Sequence, residues 1–317
     1  SRQPFGLRPR PSRPEGFIFF PFVLGTAMSE REAVEAAGAD PPAPPAKRLR
    51  ARPKYPPRGN RFEGRVVLVT GAAGNFGGVC ARMAAAEGAA VALVDVAAEG
   101  LREVEEDLRG AYGVPVRAFT VDVTKEDQVR SMVQEARREF GRIDGLFNNA
   151  GYQGDFAPVD QYSADDFDKV MRINVTGVFA VLKHVSQVMI EQGRGAIVNT
   201  ASCAGLGCPT SMPAYGSSKA AVLHLTKIAA ADLDGFMWRR QVELQARANP
   251  TGAPEFYYPD RPDAVARQMV ASVPLRRLGT PEEVIQTVLF LLSDDSSYIT
   301  GVDINVSGGN VLGGSRG

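Results

Sequence analysis

The chain has 317 residues, of which 44% are hydrophobic and 23% charged, a composition typical of a globular domain with a sizeable core. Its formal net charge of zero hides an asymmetry, because residues 1–61 carry 12 Lys/Arg against 5 Asp/Glu, and the other residues carry 24 against 31. The acidic remainder excludes a general attraction to nucleic acid or anionic lipid, so we expect neither as a partner. The three cysteines, an odd number without metal-ligand spacing, predict neither a disulfide framework nor a metal site.

The first 61 residues also hold 12 of the 22 prolines and predict a disordered, Pro/Arg-rich extension. Its basic run KRLRARPK (47–54) fits a nuclear signal, a polyanion contact or a solvated linker, and we favour the linker. The apolar run FIFFPFVLG (17–25) is too short to span a bilayer and faintly resembles a leader or transit peptide. We expect translation to start at Met28 and the protein to be cytoplasmic, with organelle targeting as the alternative.

From residue 62 onward, apolar runs alternate with helical stretches. Five runs predict strands, at residues 65–70, 90–95, 114–122, 143–149 and 195–202. The longest helical stretch covers about 163–192. Short links between strand and helix predict a parallel sheet with helices on both faces, because a parallel connection needs a crossover. We therefore predict one α/β domain over 62–317, a Rossmann-type doubly wound sheet in three α/β/α layers.

A glycine-rich turn, VTGAAGNFGG (69–78), joins the first predicted strand to the first helix. Such a turn lets the backbone approach a pyrophosphate at the helix N-terminus, although alone it is weak evidence. Asp95 ends the second strand, where a carboxylate can bind both ribose hydroxyls of adenosine and would repel a 2′-phosphate. The alternative makes Asp95 a loop or capping residue, but its position favours NAD as cofactor.

This turn resembles the T-G-x-x-x-G-x-G fingerprint of the short-chain dehydrogenase/reductase family. Thr70, Gly71 and Gly77 match, and Asn75 stands at the middle glycine, where Asn tolerates positive φ better than most residues. VDV (121–123) and NNAG (148–151) resemble the adenine-contacting and fourth-strand motifs of the family. The resemblance implies cofactor contacts from Gly71, Asn75, Phe76, Gly77, Asp95, Asp122, Val123 and Asn149.

An alcohol dehydrogenase needs a base for the hydroxyl proton, and Tyr215 and Lys219 are spaced to share one helix face. A nearby ammonium is expected to lower the pKa of the tyrosine from its ordinary value of about 10. Ser202 ends the fifth strand 13 residues before Tyr215, and Asn174 lies in RINVTG (172–177). Both match the family. The resemblance implies that Ser202 binds the substrate oxygen, Tyr215 transfers the proton, Lys219 contacts the nicotinamide ribose and Asn174 holds a relay water.

Within the family, the chain is most similar to NAD-dependent xylitol dehydrogenases over about residues 62–309. Segments that carry the similarity include FNNAGYQGDFAPVDQYSADDF (147–167) and GFMWRRQVELQA (235–246). We therefore expect a polyol or similar secondary alcohol and its ketone as substrates, and a homodimer or homotetramer. Gln153 fits either a contact to a polyol hydroxyl or an amide that stabilises its loop.

One family segment is absent from the sequence. After the Tyr/Lys helix such enzymes run a sixth strand and a Pro-Gly loop, whereas here AAADLD (229–234) meets the GFMW of a substrate lid directly. We therefore expect the sixth strand to be missing. Three explanations stay open: an incomplete gene model or splice form of an active enzyme, which we favour; a variant whose last strand, VDINV (302–306), moves inward to pair with the fifth; or an inactive relative that still binds NAD.

Overall fold

The computed structural model describes residues 59–207, 210–233, 240–246, 275, 277, 279–297 and 299–307. Nearly all of the predicted N-terminal extension lies outside these residues, and so do residue 234 and residues 235–239 at the start of the predicted lid. Within the described part, strands and helices alternate as the sequence predicts.

Seven strands form the sheet of the described residues: β1 (Val66–Thr70), β2 (Ala90–Asp95), β3 (Val116–Thr120), β4 (Gly145–Asn148), β5 (Ala196–Ala201), β6 (Arg240–Ala246) and β7 (Val302–Val306). The α-helices in the same residues are α1 (Asn75–Ala86), α2 (Ala98–Tyr112), α3 (Glu126–Phe140), α4 (Ala164–Met171), α5 (Val178–Gln192), α6 (Pro213–Leu233) and α7 (Pro281–Leu292). A π-helical turn, Arg172–Gly177, joins α4 to α5, so the predicted long helix at 163–192 is continuous but not uniformly α-helical.

The strand order is β3-β2-β1-β4-β5-β6-β7, and every pair is parallel. The direction in which successive strands are added reverses between β1 and β4, which are neighbours in the sheet but are not consecutive in the sequence. In open α/β sheets, ligands bind in the crevice at the carboxyl ends of the strands at such a reversal. The predicted Rossmann-type sheet is confirmed, and its carboxyl edge beside β1 and β4 is where the site is expected.

Alternate residues of β1 pack into two cores. Val67 and Val69 pack in a buried cluster with residues of α1, α2 and α7 on one face of the sheet. Leu68, between them, packs in a second cluster with residues of α3 and α5 on the other face. Because both faces of the sheet are buried at β1 and β2, these two strands are almost continuously apolar, and each fully buried leucine contributes roughly 1.5–3 kcal/mol to stability.

The long helical segment Ala164–Gln192 is, among the described residues, the one helix long and apolar enough to cross a bilayer. In the structure, 61% of its apolar window is buried inside the domain. Because the core helix of an α/β protein needs the same apolar character to pack on its sheet, the segment is accounted for as a core helix.

The expectation of a missing sixth strand is wrong for the sheet. β6 occupies the sixth position, pairing Arg240 with Ala196 of β5 and Val242 with Val302 of β7. It comes from the segment predicted as the substrate lid. A gap beside β5 would leave its backbone N–H and C=O groups without partners, so the next segment able to extend is recruited to the ladder. The alternation of apolar and polar residues in VELQA (242–246) is the strand signal that the lid interpretation overlooked.

The inward movement of the last strand is also excluded. β7 pairs with β6 over Val302–Val306 and is separated from β5 by that strand. In this chain β6 therefore fills the sixth position of the open sheet in place of the family's usual strand. The family's Pro-Gly loop has no equivalent in the sequence.

Candidate active site

The glycine-rich turn between β1 and α1 is folded around Gly71, whose φ is +66°. A Cβ at Gly77 would overlap the carbonyl oxygen of Gly71, so this close approach of the helix to the turn requires glycine. Asn75 begins α1, and the positive φ falls on Gly71 instead. The idea that Asn75 is tolerated through a positive φ is therefore wrong, because this position needs ordinary helical geometry.

The N-terminus of α1 presents backbone N–H groups at the carboxyl edge of the sheet. Gly74 caps the helix without a side-chain hydrogen bond, so its first turn is not blocked by a capping side chain. Such a terminus binds phosphate through its N–H groups and its positive dipole end. Phe76 lies in this turn, but its ring is buried in the core, which leaves its backbone as the part able to contact a cofactor.

Asp95 links the end of β2 to this turn. Its carboxylate accepts the backbone N–H of Ala73 at 3.0 Å and that of Ala97 at 3.1 Å. An ionised carboxylate has about four acceptor positions, so two remain for other donors. The side chain is thus held beside the glycine-rich turn, and its contact with the adenosine ribose stays a prediction.

The second predicted adenine-contacting group has a local structural role. One oxygen of Asp122 accepts the backbone N–H of Thr124 at 2.9 Å and its hydroxyl at 2.7 Å. Val123 is buried in the core. These contacts shape the turn between β3 and α3, and a contact from either residue to adenine stays a prediction.

Asn149 joins three strands at the carboxyl edge. Its backbone N–H donates to the Thr70 hydroxyl at 2.8 Å, and its side-chain amide donates to the Thr70 carbonyl at 3.3 Å. The Thr200 hydroxyl donates to the Asn149 side-chain oxygen at 3.3 Å. Thr70 and Thr200 therefore position the NNAG loop. The sequence did not predict this role for either threonine.

Ser202, Tyr215 and Lys219 are brought together, as the sequence predicts. Ser202 follows β5, is 7% exposed and has its side chain near enough to the Tyr215 phenol to lower its pKa. Tyr215 and Lys219 lie in the first two turns of α6, with the Lys219 ammonium 5.6 Å from the centre of the tyrosine ring. All three side chains are buried at the strand ends that form the crevice.

The expectation that the pKa of Tyr215 lies below its ordinary value is wrong. Burial raises the pKa of Tyr215 to about 12, and the nearby Ser202 side chain opposes this rise. The Lys219 ammonium lies over the ring and donates to the Thr200 carbonyl at 2.8 Å. Because the loss of hydration around the phenol outweighs the favourable contacts, Tyr215 is a neutral phenol near pH 7.

Asn174 lies in the π-helical turn and is fully buried. Its amide donates to the Tyr152 carbonyl at 2.8 Å and to the Ser218 hydroxyl at 3.0 Å, and its oxygen accepts the Tyr152 N–H at 2.7 Å. Ser218 in turn donates to the Tyr215 carbonyl at 2.8 Å. Asn174 thereby connects the loop after β4 to the helix that carries Tyr215, and a relay water at Asn174 stays a prediction.

Comparison with known proteins shows the family of the chain. A family profile described as enoyl-(acyl carrier protein) reductase matches residues 71–310. The chain belongs to the short-chain dehydrogenase/reductase family. Membership confirms the recognition made from the motifs and makes the chain an oxidoreductase that acts on CH–OH groups or the corresponding carbonyls.

Individual members of this family cover most of the chain. A crystal structure of NAD⁺-bound xylitol dehydrogenase is 46% identical, with a TM-score of 0.74, over 78% of this chain and 99% of that one. The 3-oxoacyl-(acyl-carrier-protein) reductase of Thermotoga maritima is 38% identical over 80% of this chain and all of its own length. Levodione reductase of Leifsonia aquatica is 36% identical over 78% of this chain and 95% of its own.

The other reactive side chains of this short-chain dehydrogenase/reductase offer less. No group of three or more His, Cys, Asp or Glu side chains in the described part of the chain could hold a metal ion. Cys203 is partly exposed next to Ser202, and Cys208, like Trp238 of the predicted lid, lies outside the described residues. His184 lies 3.1 Å from Glu126 on the neighbouring helix, an ion-pair position away from the crevice.

Gln153 is the remaining predicted site residue. Its side chain is buried, at 5% exposure, and both polar atoms of its amide lack hydrogen-bond partners among the described residues. A loop-stabilising amide would be bonded to its loop, so of the two roles left open by the sequence the unpaired amide favours substrate contact.

Proposed function

We propose that this chain is an NAD-dependent oxidoreductase that interconverts a secondary alcohol and its ketone by hydride transfer, with polyols such as xylitol as the substrate class. The observation that carries the proposal is the buried group of Ser202, Tyr215 and Lys219, at the strand ends next to the nucleotide turn. A proton-transfer group at that edge is suited to chemistry on a ligand in the crevice.

The residues of the turn fit NAD. The N-terminus of α1 and the Gly71–Gly77 contact would hold the pyrophosphate, and the remaining acceptor positions of Asp95 would bind the adenosine ribose. Asp95 disfavours NADP because its carboxylate would lie against the 2′-phosphate. When bound, NAD⁺ supplies the hydride acceptor for alcohol oxidation, and its reduced form supplies the donor for the reverse reaction.

Tyr215 is proposed to move the proton. As a neutral phenol it can donate to the oxygen of a ketone during reduction, and the resulting tyrosinate can take the proton of an alcohol during oxidation. Ser202 would orient the reacting oxygen through its hydroxyl. The raised pKa of Tyr215 makes the donor form abundant near neutral pH, so reduction is the readier direction for the residues themselves.

Polyols are proposed over other alcohols for two reasons. The xylitol dehydrogenase structure shares nearly half of its residues with this chain over almost its whole length. In addition, Gln153 holds a buried amide with no partner among the described residues, as expected for a side chain that awaits a hydroxyl.

The same proposal includes the setting of the enzyme. Residues 1–61 would form a disordered extension and 62–317 a single domain, assembled as a homodimer or homotetramer in the cytoplasm. Nucleic acid and membranes are not among its proposed partners.

A catalytically impaired, NAD-binding relative is the second candidate. It is favoured by β6, because Arg240–Ala246 belongs to the predicted lid yet lies in the sheet. A segment engaged in the ladder cannot at the same time cover the substrate. The two candidates share the nucleotide turn and differ in turnover.

One experiment separates them. NADH formation is followed by its near-ultraviolet absorbance with a panel of alditols, and NAD⁺ binding is followed by thermal shift, with NADP⁺ in parallel. We expect turnover with NAD⁺, and we expect Tyr215→Phe to abolish it and leave the NAD⁺-dependent shift in place. Tyr112→Phe, on α2 and remote from the crevice, is the matched control and should retain turnover. NAD⁺ binding without turnover on any alcohol or ketone would select the impaired relative.

A further inference from the structure

The side-chain amide of Gln153 is buried, and the packing of the domain does not explain why. The residue is 5% exposed, and neither its amide nitrogen nor its amide oxygen has a hydrogen-bond partner among the described residues. Buried primary amides are normally paired, because an unpaired one loses its bonds to water and gains nothing in exchange. A buried side chain of this kind is expected where a ligand completes the pairing.

The backbone on the amino side of Gln153 is held by Asn174. Both main-chain groups of Tyr152 are bound to the Asn174 side chain, the N–H at 2.7 Å and the carbonyl at 2.8 Å. The main chain that enters Gln153 is therefore fixed in position.

The carboxyl side is held by α4. Asp166 accepts the Asp155 N–H at 2.8 Å and the Tyr162 hydroxyl at 2.5 Å. Gly154, between Gln153 and Asp155, has a φ of +75°, and a Cβ there would meet the Tyr162 hydroxyl oxygen at 2.5 Å. The loop is therefore locked on both sides of an amide that remains unpaired, which is the arrangement of a preorganised binding group.

The same loop is attached to the catalytic helix. The Ala157 N–H donates to the Ser211 carbonyl at 3.1 Å, two residues before α6 begins at Pro213. On the other side, Asn174 reaches Ser218, which is bonded to the Tyr215 carbonyl. Gln153 thus follows β4 at the carboxyl edge of the sheet, on a loop tied at two points to the helix that carries Tyr215.

We propose that Gln153 is a specificity residue that hydrogen-bonds a second hydroxyl of the substrate, on a carbon next to the reacting one. The Gln153 amide has a donor N–H and an acceptor oxygen, and a hydroxyl can accept from the first and donate to the second. A carbonyl or carboxylate accepts only and would leave the amide oxygen unpaired. The preferred substrates are therefore vicinal diols and polyols, and this assignment rests on the proposed alcohol–ketone chemistry.

The first test is stability, with Gln153→Met as the variant and Gln192→Met as its matched control. Gln192 is a paired amide at the opposite edge of the sheet, bonded to both main-chain groups of Ile143 at 2.8 Å. Thermal melting without ligands should show Gln153→Met at or above the wild-type melting temperature, because it removes an unpaired amide, and Gln192→Met below it. A loss of melting temperature in Gln153→Met equal to that in the control would overturn the proposal, since it would show an amide bonded within the protein.

The second test compares butane-2,3-diol with butan-2-ol, which lacks the neighbouring hydroxyl. Wild type should prefer the diol in kcat/KM by about 10- to 100-fold, the range of one well-placed hydrogen bond. Gln153→Met should lower the ratio of the two kcat/KM values toward one, and Gln192→Met should keep the wild-type ratio. Equal losses on the two alcohols in Gln153→Met would refute a specificity role.

A failure of the proposed chemistry is recognised separately. If wild type oxidises neither alcohol, the turnover proposal fails, and xylitol binding in the presence of NAD⁺ is then measured by thermal shift. A xylitol-dependent shift that is present in wild type and lost in Gln153→Met would still support the amide contact. A shift of the same size in both proteins, or none in wild type, would overturn it.

Discussion

Replacement of Thr70 by valine tests how the carboxyl edge of the sheet is held together. Thr70 ends β1 and is fully buried. Its hydroxyl oxygen accepts two backbone N–H groups from the NNAG loop, that of Asn149 at 2.8 Å and that of Ala150 at 3.0 Å. Valine has nearly the same shape and no acceptor, so Thr70→Val leaves both N–H groups unpaired without creating a cavity.

The size of the effect follows from those two groups. Each buried donor without a partner costs about 1–3 kcal/mol, and the added methyl group returns part of that sum, so we expect a loss of about 2–4 kcal/mol. For a domain of this size, 1 kcal/mol corresponds to roughly 2–4 °C, and the melting temperature should fall by about 4–16 °C. Because the released loop carries Asn149, NAD⁺ binding should weaken as well.

Thermal and denaturant unfolding measure the change, with Thr120→Val as control. Thr120 ends β3 and is exposed, so the same chemical substitution there should alter the free energy of unfolding by less than about 0.5 kcal/mol. If Thr70→Val and Thr120→Val unfold at the same temperature, the two N–H groups find other partners, and the reasoning about this junction is refuted.

Two further predictions concern Tyr215 and β6. Since burial raises the pKa of Tyr215 to about 12, about one molecule in 10⁵ carries tyrosinate at pH 7, and each pH unit up to about 10 should raise alcohol oxidation about tenfold. Ketone reduction, which uses the neutral phenol, should not rise in this way; a flat pH profile for oxidation would contradict the assignment. Val242→Pro removes a backbone donor from the centre of β6 and should lower the melting temperature markedly, and wild-type melting would show that this segment is not in the sheet.

The sequence predicted the parallel sheet and most of the site because both depend on local signals. Apolar runs of strand length, a glycine-rich turn after the first of them and the Tyr215–Lys219 spacing on one helix face are properties of short segments. The carboxyl ends of parallel strands meet at one edge, so residues that end different strands, such as Asp95 and Ser202, are brought to the same side of the sheet once the topology is known.

Long-range pairing explains the two clearest errors. The sixth strand is formed by residues that the sequence assigned to a lid. The backbone groups of β5 need a hydrogen-bonding partner, and this requirement depends on the whole sheet and is not visible in the sequence of the segment that pairs with β5. The pKa of Tyr215 was expected to fall because Lys219 is near in sequence, whereas the burial that raises it comes from elements packed around the phenol.

The sequence by itself therefore determined the fold class and the family, and it predicted the nucleotide turn and the Ser202–Tyr215–Lys219 group, since all of these depend on motifs of fixed spacing. Only the tertiary structure decided that Thr70 and Ser218 hold the site together, that β6 closes the sheet, and that Gln153 is buried with its amide unpaired among the described residues. The physical reason is that hydrogen-bond satisfaction depends on neighbours distant in the chain, and no short segment records which of its polar groups will find a partner.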